Sequence, residues 1–312
     1  MGNMRMMIGD VEILALSDMN VTYPIALDDL WPDVPEQKWD IFRELYPETF
    51  DGLYMRLEIG CYLIRSDGQI ILVDTGYGPG PIDHIGGYRG QLMAELSSKK
   101  VAPAEVDVVF ISHLHYDHVG WNTVNKDGVW TPTFPNAKYI AHQADLEHFQ
   151  KPEFRFSSDV PYISRYIEPL QNWGVFETVN KETNITRNIK AIHTPGHTPG
   201  HMSLMVSSLD QTALIQGDAF VHPSQITNEE WNSLFDTDPN MATDTRRKLL
   251  GMVEADNIPI ISCHFETPGV GYIVRYQGKR YWKAAEILSL IHISEPTRPR
   301  LISYAVVGLK KK

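Results

Sequence analysis

Between Ser112 and His118 the chain reads Ser-His-Leu-His-Tyr-Asp-His, directly behind the apolar run 107–111. Three imidazoles and a carboxylate crowded at the end of a strand serve no packing purpose. Neutral imidazole and carboxylate are the donors zinc prefers. His113 and His115, two residues apart, can turn toward one ion, while Asp117 and His118, one step further round the loop, can reach a second. Such a site needs a fold whose rigid elements carry more ligands to the same edge. His84, His142 and His148 stand alone and read as ordinary solvated or hydrogen-bonded histidines.

The rest of the chain supplies those elements. Residues 11–16, 61–65, 69–73, 107–112, 137–141, 189–193, 202–207, 212–216 and 259–262 are short apolar runs rich in β-branched residues, and Ser-Asp-Gly between the second and third marks a hairpin. Helical spacing is found around 89–99, 143–150, 160–173 and 241–256, the last beyond Asp238-Pro239 with Leu249, Leu250 and Val253 on one face. Clustered strands with helices between them predict a single α/β domain, residues 1–287, with two sheets. Residues 20–52, rich in Pro, Asp and aromatics, match neither period and read as a long loop with a short helix, available as a lid or a dimer arm.

The His113–His118 stretch resembles the HxHxDH motif of the metallo-β-lactamase superfamily, and the resemblance runs from about residue 10 to Lys283. Thr194-Pro195-Gly196-His197-Thr198-Pro199-Gly200-His201 is similar to that family's TPGHTPGH turn. Gly217-Asp218 matches its bridging aspartate, and Ser262-Cys263-His264-Phe265 its final histidine loop. The resemblance implies an αββα four-layer sandwich with two Zn²⁺ ions: His113, His115 and His197 on one, Asp117, His118 and His264 on the other, Asp218 shared. Mn²⁺, Co²⁺ or Fe²⁺ are alternatives for the same donors. Asp74, in the Val73-Asp74-Thr75-Gly76 strand end, is expected to orient a ligand through hydrogen bonds. His201 is expected to support rather than ligate, His193 is balanced between support and plain structure, and Cys263 is expected to be a small buried residue.

Further matches, Gly120-Trp121-Asn122, His222-Pro223-Ser224-Gln225, Phe235 to Pro239 and Thr245-Arg246, resemble the branch holding N-acyl-homoserine lactonases and methyl-parathion-type hydrolases. Many lactonases carry Tyr three residues beyond the bridging Asp, where this chain has Val221, which leaves His222 as the nearest candidate proton donor. The implied activity is hydrolysis of a small lactone or carboxylic ester by metal-bound hydroxide, formed from bound water whose pKa falls near 7 on zinc, with Asp117, Asp218 and His222 as the catalytic candidates. Phosphotriester hydrolysis is the alternative, and thioester hydrolysis stands third. Trp121, Trp31 and the 20–52 segment are the apolar surfaces available to a substrate pocket.

Composition narrows partners. With 28 basic against 39 acidic residues the formal charge is -11, which opposes tracking of a nucleic-acid backbone. Two cysteines, Cys61 and Cys263, exclude a disulfide-stapled scaffold and suit a reducing compartment. The N-terminus lacks a signal-peptide pattern, and no run approaches the roughly 20 apolar residues of a membrane span. The expectation is a cytoplasmic enzyme with a small-molecule substrate, neither nucleic acid nor membrane as partner, and a homodimer as the assembly open to it.

Residues 288–312 read differently. Leu288 to Arg298, LSLIHISEPTR, resembles the translation of a transposase-type sequencing adaptor. Three residues then fall where a variable index would lie, and the remainder departs from the adaptor's fixed end only at Val307 and Gly308. Without these 25 residues, which hold five basic and one acidic, 23 basic face 38 acidic, a charge of -15. A chain ending near Ile287 is expected to keep its stability and activity. The competing reading is a helix from Tyr281 to Ser294 with a basic tail.

Overall fold

A computed structural model describes residues 4–151, 162–266 and 269–285; the adaptor-like segment lies outside them. The first sheet contains β1 (Arg5–Ile8), β2 (Val11–Ala26), β3 (Phe50–Asp51), β4 (Tyr54–Ser66), β5 (Gln69–Val73) and β6 (Val108–Phe110). A separate hairpin of β7 (Thr123–Lys126) and β8 (Val129–Pro132) follows, and β9 (Lys138–His142) and β10 (Phe176–Val179) complete the sheet in the order β1-β2-β4-β5-β6-β9-β10, with β3 on β4. The second sheet runs in sequence through β11 (Thr183–Asn184), β12 (Ile189–His193), β13 (Met202–Ser208), β14 (Gln211–Ile215), β15 (Ile260–Ile261), β16 (Val270–Tyr276) and β17 (Lys279–Ala284).

Alternation along the strands explains the layering. Ile71 and Val73 of β5, with Val108 and Phe110 of β6, point between the sheets and meet Leu204, Val206, Ala213 and Ile215 of the second sheet in one buried cluster. Leu72, Val109 and Ile111 point the other way, against Leu92, Leu96, Leu146 and Leu170 from helices. Across the molecule Leu214 and Ile260 face Leu249, Leu250 and Val253 of the Pro239–Ala255 helix. Strands covered on both faces read as unbroken apolar runs because each side of the pleat needs its own partners. The result is helix, sheet, sheet, helix.

The Ser-Asp-Gly hairpin forms as expected: Ser66 pairs with Gln69 around Asp67 and Gly68, both at positive φ, the conformation a two-residue turn needs to follow strand twist. Asp238 accepts from Met241 N at 2.9 Å and starts the long helix. The competing helix reading fails, and the 20–52 segment holds more regular structure than a long loop with one short helix. Residues 281–284 belong to β17, paired to β16, so no helix begins at Tyr281. The 20–52 segment is not a free arm: β2 continues to Ala26, short helices occupy Leu27–Leu30 and Asp40–Leu45, and Trp31 and Trp39 are both 0% exposed. Trp39 packs within ring-centroid distances of 5.0 Å of Trp231, 5.5 Å of Trp31 and 5.9 Å of Phe50. Trp31 and Phe50 belong to the same segment at irregular spacings and Trp231 to a distant one, which is why no local period shows.

Candidate metal centre

The site lies where strands of both sheets end. At the end of β5, Asp74 adopts a positive φ and accepts hydrogen bonds from Ser112 N at 2.7 Å, Ser112 Oγ at 2.8 Å and His118 Nδ1 at 2.9 Å. Because Ser112 Oγ spends its proton on Asp74, its lone pair receives His113 Nδ1–H at 3.0 Å. The same outward tether recurs: His197 Nδ1 donates to Asp236 Oδ1 at 3.1 Å and His264 Nδ1 to the Glu58 carbonyl at 2.8 Å. Four imidazoles therefore present Nε2 inward, and His115 presents Nδ1, 2.9 Å from His113 Nε2 and 3.0 Å from His197 Nε2. An outer partner that holds one ring nitrogen fixes both tautomer and direction of the other.

These atoms form two sets, His113, His115 and His197 in one and His118, Asp218, Cys263 and His264 in the other, each within 4.8 Å. Asp218 Oδ2 joins them, lying 2.9 Å from His264 Nε2, 3.4 Å from His118 Nε2, 3.5 Å from His197 Nε2 and 3.7 Å from His113 Nε2. Asp117 Oδ2 completes the second set at 3.3 Å from His264 Nε2 and 3.5 Å from His118 Nε2.

The electrostatics favour a cation. Burial, reinforced by neighbouring imidazoles, pushes His115 down to about 3 and His113 well below its usual value, so both rings are neutral and keep a lone pair to offer. For His264 burial opposes charge, but Asp218 and Asp117 outweigh it and lift the pKa to about 9; His118 rises for the same reason. Burial likewise opposes ionisation of Asp218, and the surrounding histidines reverse it, keeping that carboxylate ionised. The buried Asp218 and the half-buried Asp117 thus require positive charge, from protons or from metal. His118 Nε2 is buried without a hydrogen-bond partner, an arrangement a metal ion would satisfy.

Comparison with known proteins agrees with this geometry. The family described as the metallo-beta-lactamase superfamily matches residues 57–264. The chain belongs to the metallo-beta-lactamase superfamily. It is a hydrolase of that superfamily, 27% identical over 219 residues to an N-acyl homoserine lactonase of Bacillus sp, covering 65% of this chain and 80% of that one. Among solved structures, the hydrolase AbOPH of the beta lactamase superfamily is 25% identical with a TM-score of 0.77, covering 91% of this chain and 98% of that one. AidC, a dizinc quorum-quenching lactonase solved with N-hexanoyl-L-homoserine product, shares the fold at 20% identity and TM-score 0.75, with the same coverage.

Around the superfamily's motifs the structure adds residues that the sequence did not reveal. Asp145, in the Gln143–Phe149 helix, accepts from Leu114 N at 3.0 Å, Thr198 Oγ1 at 3.0 Å and Gly200 N at 2.6 Å, and so ties the His113–His115 loop to the His197 turn. Asp236 holds His197 while Arg246 Nη1 lies 3.3 Å from its other oxygen; the motif 235–246 was visible, but its role was not. His201 supports as expected: its Nε2 accepts from Asp218 N at 2.8 Å. Gly217 has φ +60, and a Cβ there would fall 2.6 Å from His201 Nε2, so this turn excludes a larger residue. Cys263 is buried as expected, but its thiol also donates to Asp218 Oδ1 at 3.0 Å.

His222 has a different setting from these residues. Its Nδ1 accepts from Ser224 N at 3.1 Å and its Nε2 donates to Thr49 Oγ1 at 2.8 Å. The ring sits among Trp39, Tyr46 and Phe50, and burial pushes its pKa to about 3. Both nitrogens are engaged by Ser224 and Thr49, which places His222 in an aromatic core. Trp31, fully buried, cannot line a pocket. Trp121 is half-buried, its Nε1 donating to Asp18 Oδ1 at 2.8 Å. His193 is exposed and stacks on His142 at 4.3 Å, outside the cluster.

Proposed function

We propose that this hydrolase holds two zinc ions and cleaves a small lactone or carboxylic ester. The observation that carries the reading is the position of Asp218 Oδ2, within 3.7 Å of imidazole nitrogens from both donor sets, which suits a ligand shared by two ions. His113, His115 and His197 would hold one and Asp117, His118 and His264 the other. Relatives named N-acyl homoserine lactonase support a lactone as the first substrate to test, and Mn²⁺, Co²⁺ or Fe²⁺ fit the same donors.

When bound, such ions supply a Lewis acid for the carbonyl oxygen and an activated water near neutral pH. The chain's part is orientation and proton handling. Asp74, Asp236 and the Glu58 carbonyl keep three ligand rings aimed inward. Hydrolysis joins the water oxygen to the acyl carbon and breaks the bond to the alkoxide, which then needs a proton. Asp117, an ionised carboxylate whose side chain is 17% exposed against 4% for Asp218, is placed to take the proton that the water gives up and pass it to the alkoxide. Metal analysis with panels of lactones, esters, phosphotriesters and thioesters tests the reading. Turnover of lactone or ester that chelation abolishes and Zn²⁺ restores is expected; full turnover by metal-free enzyme, or cleavage confined to phosphotriesters or thioesters, would overturn it.

A further inference from the structure

The two oxygens of Asp218 have different surroundings. Oδ2 faces four imidazole nitrogens, whereas Oδ1 receives the Cys263 thiol at 3.0 Å. Cys263 Sγ is also 3.3 Å from the Gly217 carbonyl oxygen. A sulfur set between two oxygen acceptors is placed to donate its proton; a thiolate there would face two negative dipoles. The chain beside it is tied to the other sheet: Gly60 N donates to the Cys263 carbonyl at 2.9 Å, and a Cβ at position 60 would approach that carbonyl oxygen to 2.9 Å.

We propose that Cys263 is a positioning residue for the metal centre: its thiol holds Asp218 Oδ1 and leaves Oδ2 alone to serve both donor sets. The inference rests on the two-metal reading above. The thiol sits within 4.8 Å of His118 and His264 donor atoms, close enough to be mistaken for a ligand, and the hydrogen bond gives it another task. Without the thiol, Asp218 can rotate and offer both oxygens to one ion, which weakens its hold on the other. Serine in its place keeps a donor on a shorter arm.

The test compares wild type, Cys263→Ala and Cys263→Ser, each loaded with Zn²⁺ or Co²⁺. Metal content is measured after gel filtration, retention against a competing chelator, and the near-ultraviolet absorption of the Co²⁺ form. Melting of the metal-free proteins shows whether each variant folds. Wild type should retain two ions without an intense thiolate-to-cobalt band. Cys263→Ala should lose apparent metal affinity by about 10- to 100-fold, the usual effect of removing an outer partner, and Cys263→Ser should recover part of it. Equal retention in all three, a serine variant no better than alanine, or a strong sulfur-to-cobalt band in wild type would overturn the proposal. Wild type that binds no metal would instead defeat the two-metal reading itself.

Discussion

Asp218 and His197 differ in how many donors each faces. Asp218 Oδ2 touches both sets, whereas His197 Nε2 lies against His115 and Asp218. Asp218→Ala should therefore lose more bound metal than His197→Ala, as read by metal analysis after gel filtration; equal stoichiometry would count against a shared carboxylate. Asp145 makes a second prediction at this scale. Burial pushes its carboxyl from 3.8 up to about 6, with the bonds from Thr198, Leu114 and Gly200 offsetting only part. A raised carboxyl pKa means that the native state binds this proton more tightly than the unfolded chain. The stabilising contribution is complete below about pH 4 and is lost as pH rises through 6. Relative to Asp145→Asn, which does not titrate, wild type should lose about 2–3 kcal/mol between pH 4 and 7. Urea unfolding with chelator present measures this, and a pH-independent difference would refute it.

Among elements, the segment between β2 and β4 shows how far local pattern reading extends. Its tryptophans supply no helical or strand stripe, yet Trp31, Trp39 and Phe42 fill a core with Val221 and the half-buried Trp231 and Phe235. These later residues follow Asp218 in the chain, so the segment packs against the stretch that follows this carboxylate. Trp39→Ala should destabilise the protein by about 3–5 kcal/mol, the range for emptying a large aromatic site. Denaturant unfolding checks this, and a loss below about 1 kcal/mol would show that the cluster collapses to fill the gap. The strands around the site, by contrast, were legible from sequence because each is short, β-branched and bounded by turn residues. Asp67-Gly68 even specified its turn, through the positive φ both residues adopt.

For the whole molecule, the donor residues come from segments that follow strands of both sheets, Asp117 and His118 from the short Tyr116–Val119 helix. His113 to His118 follow β6, His197 follows β12, Asp218 follows β14 and His264 follows β15. Metal that binds this assembled arrangement and not the unfolded chain must stabilise the native state, by about 2.7 kcal/mol per site at free metal 100 times the Kd. Chelation should lower the Tm and Zn²⁺ should restore it in calorimetry; an unchanged Tm would separate metal from the fold. The sequence alone determined the donor chemistry, since His113-x-His115-x-Asp117-His118 is local and needs no partner to be recognised, and it determined the two-sheet pattern through strand-length apolar runs. Only the tertiary structure decided which oxygen of Asp218 faces both donor sets, that Asp145 ties the His113–His115 loop to the His197 turn, and that His222 is turned into an aromatic core. Those outcomes depend on contacts such as Asp145 to Gly200, Cys263 to Asp218 and His222 to Thr49, which join segments 55, 45 and 173 residues apart. Periodicity and motif spacing describe neighbours along the chain, and the direction of a buried donor is set by neighbours in space.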